Sequence, residues 1–217
     1  MPNTHLIIFD WDGTLMDSEA AIVAAMSEAY RREGEAVPSY RAIREIIGLS
    51  LSDAICRLTP AIKPDGGGRI AANYRAGYAA RKSSPALFPG VRETLSKLYD
   101  SGYCLAVATG KSRGGLAKAI NDTDLGGLFV ATRTADMSEP KPSPAMLHEI
   151  LADLDVPAGA AIMIGDTDFD LAMAQAAGTQ LAGVSYGAHP VERLLAYHPA
   201  FMLDDFGDLP NKMKTLN

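Results

Sequence analysis

Short runs of consecutive apolar residues recur along the chain, and each is bounded by Gly, Asp or Thr: HLIIF at 5–9, YCLAVA at 103–108, FVAT at 129–132, AAIMI at 160–164 and QLAGV at 180–184. Uninterrupted apolar runs of this length belong to strands buried on both faces, as in a parallel sheet covered by helices. Between the later runs the apolar spacing changes to three and four, which predicts helices over 91–100, 112–121, 143–153 and 168–177. Pro144 stands just inside the start of the third and Gly178 just past the end of the fourth, where each residue is favoured. Strand and helix alternate. The predicted fold class is therefore α/β, a doubly wound, Rossmann-like parallel sheet.

Residues 16–84 break that rhythm. They contain no strand pattern and read as four helices, 18–33, 39–47, 51–59 and 66–82, with the GGG at 66–68 as a loop. A βα connection normally takes roughly 2 to 6 residues, so this segment is predicted to be a helical cap domain inserted after the first strand. The core domain is then 1–15 plus 85–217, with Leu15–Asp17 and Ser83–Pro89 as hinges. The stretch AAIVAAMSEA at 20–29 suits a cap helix with one buried face, not a membrane anchor.

Composition narrows the class. Hydrophobic residues at 47% and charged residues at 21% are ordinary for a globular protein, and no apolar run is long enough to span a membrane. No basic leader with an apolar stretch is seen at the start, so a cytoplasmic protein is expected. Cys56 and Cys104 lack metal-ligand spacing and are expected to be buried as small apolar residues. A net charge of −6 opposes binding to nucleic acid, whereas a small phosphorylated metabolite needs only a local positive site.

In an open parallel sheet the functional crevice lies at the carboxyl ends of the strands. Asp10 and Asp12 fall there after the first strand, Thr109 and Gly110 after the second, Lys141 after the third, and Asp166 and Asp170 after the fourth. Each alone is an ordinary cap, turn or loop residue. Together the carboxylates would repel one another unless a hard cation and the lysine joined them, and Mg²⁺ fits such oxygen ligands. A carboxylate held by metal and lysine stays ionised and can attack phosphorus, which suits Asp10. The other, Asp12, can give the leaving group a proton and later take one from water. Gly13 permits the tight backbone path, the Thr109 hydroxyl can bind phosphoryl oxygens, and Thr14 and Gly110 are further candidates for the substrate side.

The motifs FDWDGT, LAVATG, EPKP and IGDTDFD, in that order, resemble the haloacid dehalogenase superfamily over the whole chain, cap included. The likeness is to its helical-cap phosphatases of the phosphoglycolate phosphatase and β-phosphoglucomutase type. It implies Asp10 as nucleophile, Asp12 as acid and base, Thr109 and Lys141 on the phosphate, and Mg²⁺ held by Asp10, the Asp12 backbone carbonyl and Asp166, with Asp170 in support. Asp12 argues against the dehalogenases, which lack a second aspartate, and against the phosphonate-cleaving branch, which has a small residue there. GLSLSDA at 48–54 is similar to the mutase specificity loop, but the mutases carry arginine where this chain has Leu51. A hydrolase is therefore expected, with three alternatives beside it: a mutase, an inorganic pyrophosphatase and a non-catalytic phospho-ligand module. Whether it is a monomer or a homodimer stays open.

Cap candidates for the cleft are Ser50, Ser52, Arg44, Arg57, Tyr74 and Arg75. ATGKSRGG invites a P-loop reading, yet Leu105 stands where the earlier glycine is needed, so Lys111 is read as a surface residue or a secondary phosphate neighbour. His5, His148, His189 and His198 have no ligand spacing and are read as structural or solvated, and Trp11 as packing under the active loop.

Overall fold

A computed structural model describes residues 5–81 and 85–216. The expected hinge residues Ser83 and Ser84 and the last residue of the expected helix 66–82, Lys82, lie outside the described residues.

The centre is a six-stranded parallel sheet built from β1 (Leu6–Phe9), β4 (Cys104–Thr109), β5 (Phe129–Thr134), β6 (Ala161–Gly165), β7 (Gln180–Val184) and β8 (Met202–Leu203). Their order is β5-β4-β1-β6-β7-β8. Strand order reverses between β1 and β6, which is where such sheets open their binding crevice. β1 pairs in register with both neighbours, so Phe9 lies opposite Val107 and Ile164, with β6 running one residue and β4 two residues further. Alternate residues of β1 serve opposite cores. Ile7 and Phe9 pack with α5 (Val91–Asp100), α6 (Arg113–Thr123) and α10 (Leu209–Leu216). Leu6 and Ile8 pack with α7 (Ala145–Leu154) and α8 (Asp168–Ala177). Burial on both faces is the reason β1, β4 and β6 read as unbroken apolar runs, whereas β5 stands at the sheet edge and is only half buried.

Four helices, α1 (Glu19–Arg32), α2 (Tyr40–Arg44), α3 (Leu51–Leu58) and α4 (Pro64–Ala79), follow the first strand and share a core of their own that includes Ile22, Met26, Tyr30, Ile43, Ile55 and Ile70. The chain leaves and re-enters through two short antiparallel strands, β2 (Met16–Asp17) and β3 (Ala86–Leu87), a detail the sequence pattern is too short to register. Three expectations are corrected here. The GGG at 66–68 lies inside α4, where packing against α1 and α3 overrides weak propensity. α2 ends at Arg44, earlier than expected, and the chain continues in turns. Cys56 and Cys104 are both exposed, Cys56 on the polar side of α3 and Cys104 at the first position of β4. The helix α9 (Val191–Leu195), the strand β8 and the helix α10 complete the carboxyl-terminal part, and the apolar pattern announced none of them.

Candidate active site

β1 delivers Asp10 to the strand-order switch and the next residues turn back sharply, with the Leu15 and Met16 amides donating to the Trp11 carbonyl. Trp11 anchors that turn from beneath: it is fully buried, edge-on to Phe129, with Nε1 donating to the Met16 sulfur. Gly13 has φ of +82°, and a Cβ there would come within 2.2 Å of Asp166 Oδ2. Both facts require glycine.

Lys141 is wholly buried and bridges two acids, Nζ lying 2.8 Å from Asp10 Oδ1 and 2.6 Å from Asp170 Oδ1. Asp10 Oδ1 also accepts from the Trp11 amide, whereas buried Oδ2 has no hydrogen-bond partner among the described residues. Asp166 Oδ1 accepts from Thr14 Oγ1 and Oδ2 from the Ala188 amide, each at 2.8 Å. Asp170 Oδ2 accepts from the Thr167 amide and hydroxyl, a capping box that starts α8 and fixes the carboxylate. One oxygen from each of Asp10, Asp166 and Asp170 falls within 4.8 Å of the others.

Three buried carboxylates against one lysine leave an excess of negative charge. Burial pushes Asp10 up to about 7 despite the pull of Lys141, and burial with repulsion from Asp10 and Asp170 raises Asp166 well above the ordinary range. Burial also works against the Lys141 ammonium, but the two acids win and raise it to about 12. The orphaned Asp10 oxygen and the all-oxygen donor set fit a hard divalent cation. Asp12 belongs elsewhere: its side chain is outside this cluster and accepts from Ser18 Oγ at 2.6 Å and from Lys111 Nζ at 2.7 and 2.9 Å.

Above these groups lies a cavity of about 910 Å³ between the helical segment and the sheet. Asp10, Asp12, Thr109, Gly110 and Lys111 line it from the sheet side, and Ser50, Ser52, Tyr74 and Arg75 from the helical side. A Cβ on Gly110 would come 2.5 Å from the carbonyl oxygens of Gly48 and Leu49, so the two parts meet at van der Waals distance there. Ser50 caps α3, its hydroxyl accepting from the Asp53 amide.

Several expected site residues have other duties. Arg44 does not line the cavity; it donates to Glu19 and to the Gly187 carbonyl, pinning α2 to the loop after β7. Thr14 and Gly13 are also absent from its wall, the hydroxyl of one and the missing side chain of the other both serving Asp166. Arg57 lies over the Phe169 ring, 5.1 Å from its centroid. Lys111 is not a surface residue: it reaches from the end of β4 to Asp12 and lies 5.2 Å from the Tyr78 ring centroid. Its position two residues after Thr109 on a strand-end loop was the available signal. Ser18 and Ala188 act on the acids through contacts that no sequence spacing announces, whereas Thr167 stands at capping-box spacing from Asp170. His189 is buried, paired with Asp168 and edge-on to Phe169, a structural role.

Comparison with known proteins agrees with this geometry. Residues 7–184 match the haloacid dehalogenase-like hydrolase family. A probable phosphatase IndB of Dickeya dadantii is 36% identical over 94% of this chain and 91% of its own length. A phosphoglycolate phosphatase of Pseudomonas fluorescens is 28% identical over 93% of this chain and 76% of its own. The crystal structure of a hydrolase from Pseudomonas syringae superposes with a TM-score of 0.89, covering 99% of both chains at 23% identity, a likeness of fold. With the match spanning nearly the whole αβ core and the helical insert, the chain belongs to the haloacid dehalogenase-like hydrolases and is a phosphatase of that family.

Proposed function

We propose that the protein is a Mg²⁺-dependent phosphatase that hydrolyses a phosphate monoester of a small cytoplasmic metabolite through an aspartyl-phosphate. The observation that carries this reading is the buried Asp10 carboxylate, held by Lys141 through one oxygen and unpartnered at the other, facing the cavity beside Asp12. Asp10 and Asp166 would hold the metal with the Asp12 backbone carbonyl, Asp170 steadying Lys141 alongside. Bound there, the ion supplies positive charge against the phosphoryl oxygens and lowers the acids' repulsion.

An Asp10 oxygen attacks phosphorus, and the bond from phosphorus to the ester oxygen breaks as Asp12 delivers a proton to that oxygen. Asp12 then takes a proton from water, the water oxygen bonds to phosphorus, and the acyl-phosphate bond breaks to return Asp10 and free phosphate. Thr109 and Lys111 stand where developing charge on the phosphoryl oxygens needs donors. Lys111 must exchange part of its pairing with Asp12 for the incoming phosphate, which frees Asp12 for proton transfer.

The test is phosphate release from a panel that includes phosphoglycolate, sugar phosphates and pyrophosphate, with and without Mg²⁺, beside Asp10→Asn. Turnover that needs both the metal and Asp10, with a trapped aspartyl-phosphate, is expected. Pyrophosphate consumed ahead of every monoester would replace this reading, as would phosphoryl transfer between sugar hydroxyls without net release.

A further inference from the structure

The cavity over Asp10 is far larger than a phosphoryl group needs, at the upper end of what small-molecule sites enclose. Its remaining wall is apolar in a specific way. Leu49, Leu51, Ile62, Tyr74 and Tyr78 pack against the core of the helical segment yet stay only half buried, and all five line the cavity. Lys111 lies over the Tyr78 ring, and together these side chains give the cavity a half-buried, largely apolar wall. Tyr74 and Tyr78 lie one turn apart on α4 with ring centroids 5.8 Å apart and planes inclined at 32°, giving one wall an aromatic surface.

Charge is distributed differently. Among the lining cations, Lys63, Arg75, Arg81 and Lys118 are exposed to solvent, and Lys118 is paired with Asp122. Lys111, the one lining cation among the described residues that is not exposed, is bound to Asp12. A second anionic group lodged against Leu49, Leu51, Ile62, Tyr74 and Tyr78 would meet apolar side chains, and among the described residues the lining cations not bound to Asp12 are on the solvent-exposed part of the lining, so burying it there is costly. In a monoester everything beyond the phosphoryl group is leaving group, so whatever fills this volume must be the alcohol.

Resting on the phosphatase reading, we propose that the preferred substrate is the phosphate monoester of a bulky, uncharged, largely apolar alcohol, at least the size of one ring, whose body occupies the chamber walled by Leu49, Leu51, Ile62, Tyr74 and Tyr78. Small anionic esters such as phosphoglycolate leave that wall uncovered and are poorer substrates.

Benzyl phosphate and phosphoglycolate are both esters of primary alcohols, so comparing them isolates recognition from leaving ability. With Mg²⁺, kcat/KM for benzyl phosphate is expected to exceed that for phosphoglycolate by about tenfold or more, the scale on which apolar pockets discriminate. Ile62→Glu is expected to lower that ratio about tenfold, and Leu51→Arg, which offers a carboxylate a partner, to lower it as well. Equal rates or a preference for phosphoglycolate in the native protein, or a ratio unmoved in both folded variants, overturns the assignment while leaving the phosphatase reading intact. Failure of Mg²⁺ and Asp10 to support phosphate release from either ester overturns both.

Discussion

Lys111 shows how much one side chain can carry without a motif to advertise it. Largely buried beside Asp12 and facing the Tyr78 ring, it holds its ammonium above the ordinary lysine range: burial opposes the charge, and the Asp12 carboxylate more than compensates. Among the described residues Ser18 is the other group that holds the Asp12 carboxylate. Removing the amine as Lys111→Met leaves Asp12 positioned by one hydroxyl alone, and kcat is expected to fall by about tenfold to a hundredfold, within the usual worth of a positioned acid and base. Because Lys111 forms its ion pair with Asp12 and, among the described residues, none with Asp10, Asp166 or Asp170, feeling Asp10 only as a more distant charge, the Mg²⁺ concentration for half-maximal activity should change little. A shift in metal requirement with kcat preserved would assign Lys111 to the metal site instead. The sequence shows Lys111 as clearly as it shows Thr109, but a lysine in a loop is solvated in most proteins, and only the fold reveals that this loop is roofed by α4.

At the scale of elements, β1, β4, β6 and β7 and helices α5 to α8 were legible because burial on two faces and the spacing of three and four are direct imprints of packing. The insert was legible as helical for the same reason. What remained illegible is what long-range contact decides: three glycines inside α4, the ending of α2, the two-residue strands β2 and β3, and the short elements after β7. The acids at the strand ends could be read one by one, yet the contacts that orient them could not. Thr167 to Asp170 is local, but Thr14 to Asp166 and Ala188 to Asp166 join distant stretches. Gly110 offers a test at this scale. It is the point where the end of β4 meets the turn before α3, and a methyl group there would overlap two carbonyl oxygens that belong to backbone and cannot swing aside. Gly110→Ala should therefore hold the helical segment away from the sheet, lowering kcat/KM about tenfold through lost closure. The three-acid cluster is untouched, so Mg²⁺ protection against unfolding should be retained. Full activity would show that the contact is not part of the working state.

For the molecule as a whole, the helical segment is tied to the sheet by charge as well as by the chain itself. Arg44 reaches the Gly187 carbonyl and Arg193 pairs with both Glu45 and Asp168. These ties place the helical core over Asp10, and replacing 17–84 by a short linker is expected to keep Mg²⁺ binding while abolishing discrimination among monoesters. Unchanged substrate ranking in that truncated chain would remove the cap from specificity altogether.

The acids proposed to bind the metal also make stability depend on pH in a direction that can be worked out. Burial raises Asp10 to about 7, far above the value of about 3.9 expected in the unfolded chain. Between those limits the native state holds a proton that the unfolded state has released, so metal-free stability falls as pH rises through the window. Asp166, also raised, acts with the same sign. Asp168 acts oppositely but outside the window: burial works to raise it, yet its bonds to His189 and Arg193 prevail and hold it at about 2, so its contribution is lost only in stronger acid. A tenfold difference in proton affinity between the folded and unfolded chain is worth about 1.4 kcal/mol, so a loss on the order of a few kcal/mol is expected between about pH 5 and about pH 8. Urea unfolding in the presence of EDTA should show a midpoint that drops across this range, and Asp10→Asn should flatten the drop. Adding Mg²⁺ at the upper pH should restore the midpoint, by about 2.7 kcal/mol at a hundredfold excess over Kd. A metal-free midpoint that holds steady or climbs with pH would mean that the acids are neutralised by some other group, and the metal site would have to be redrawn.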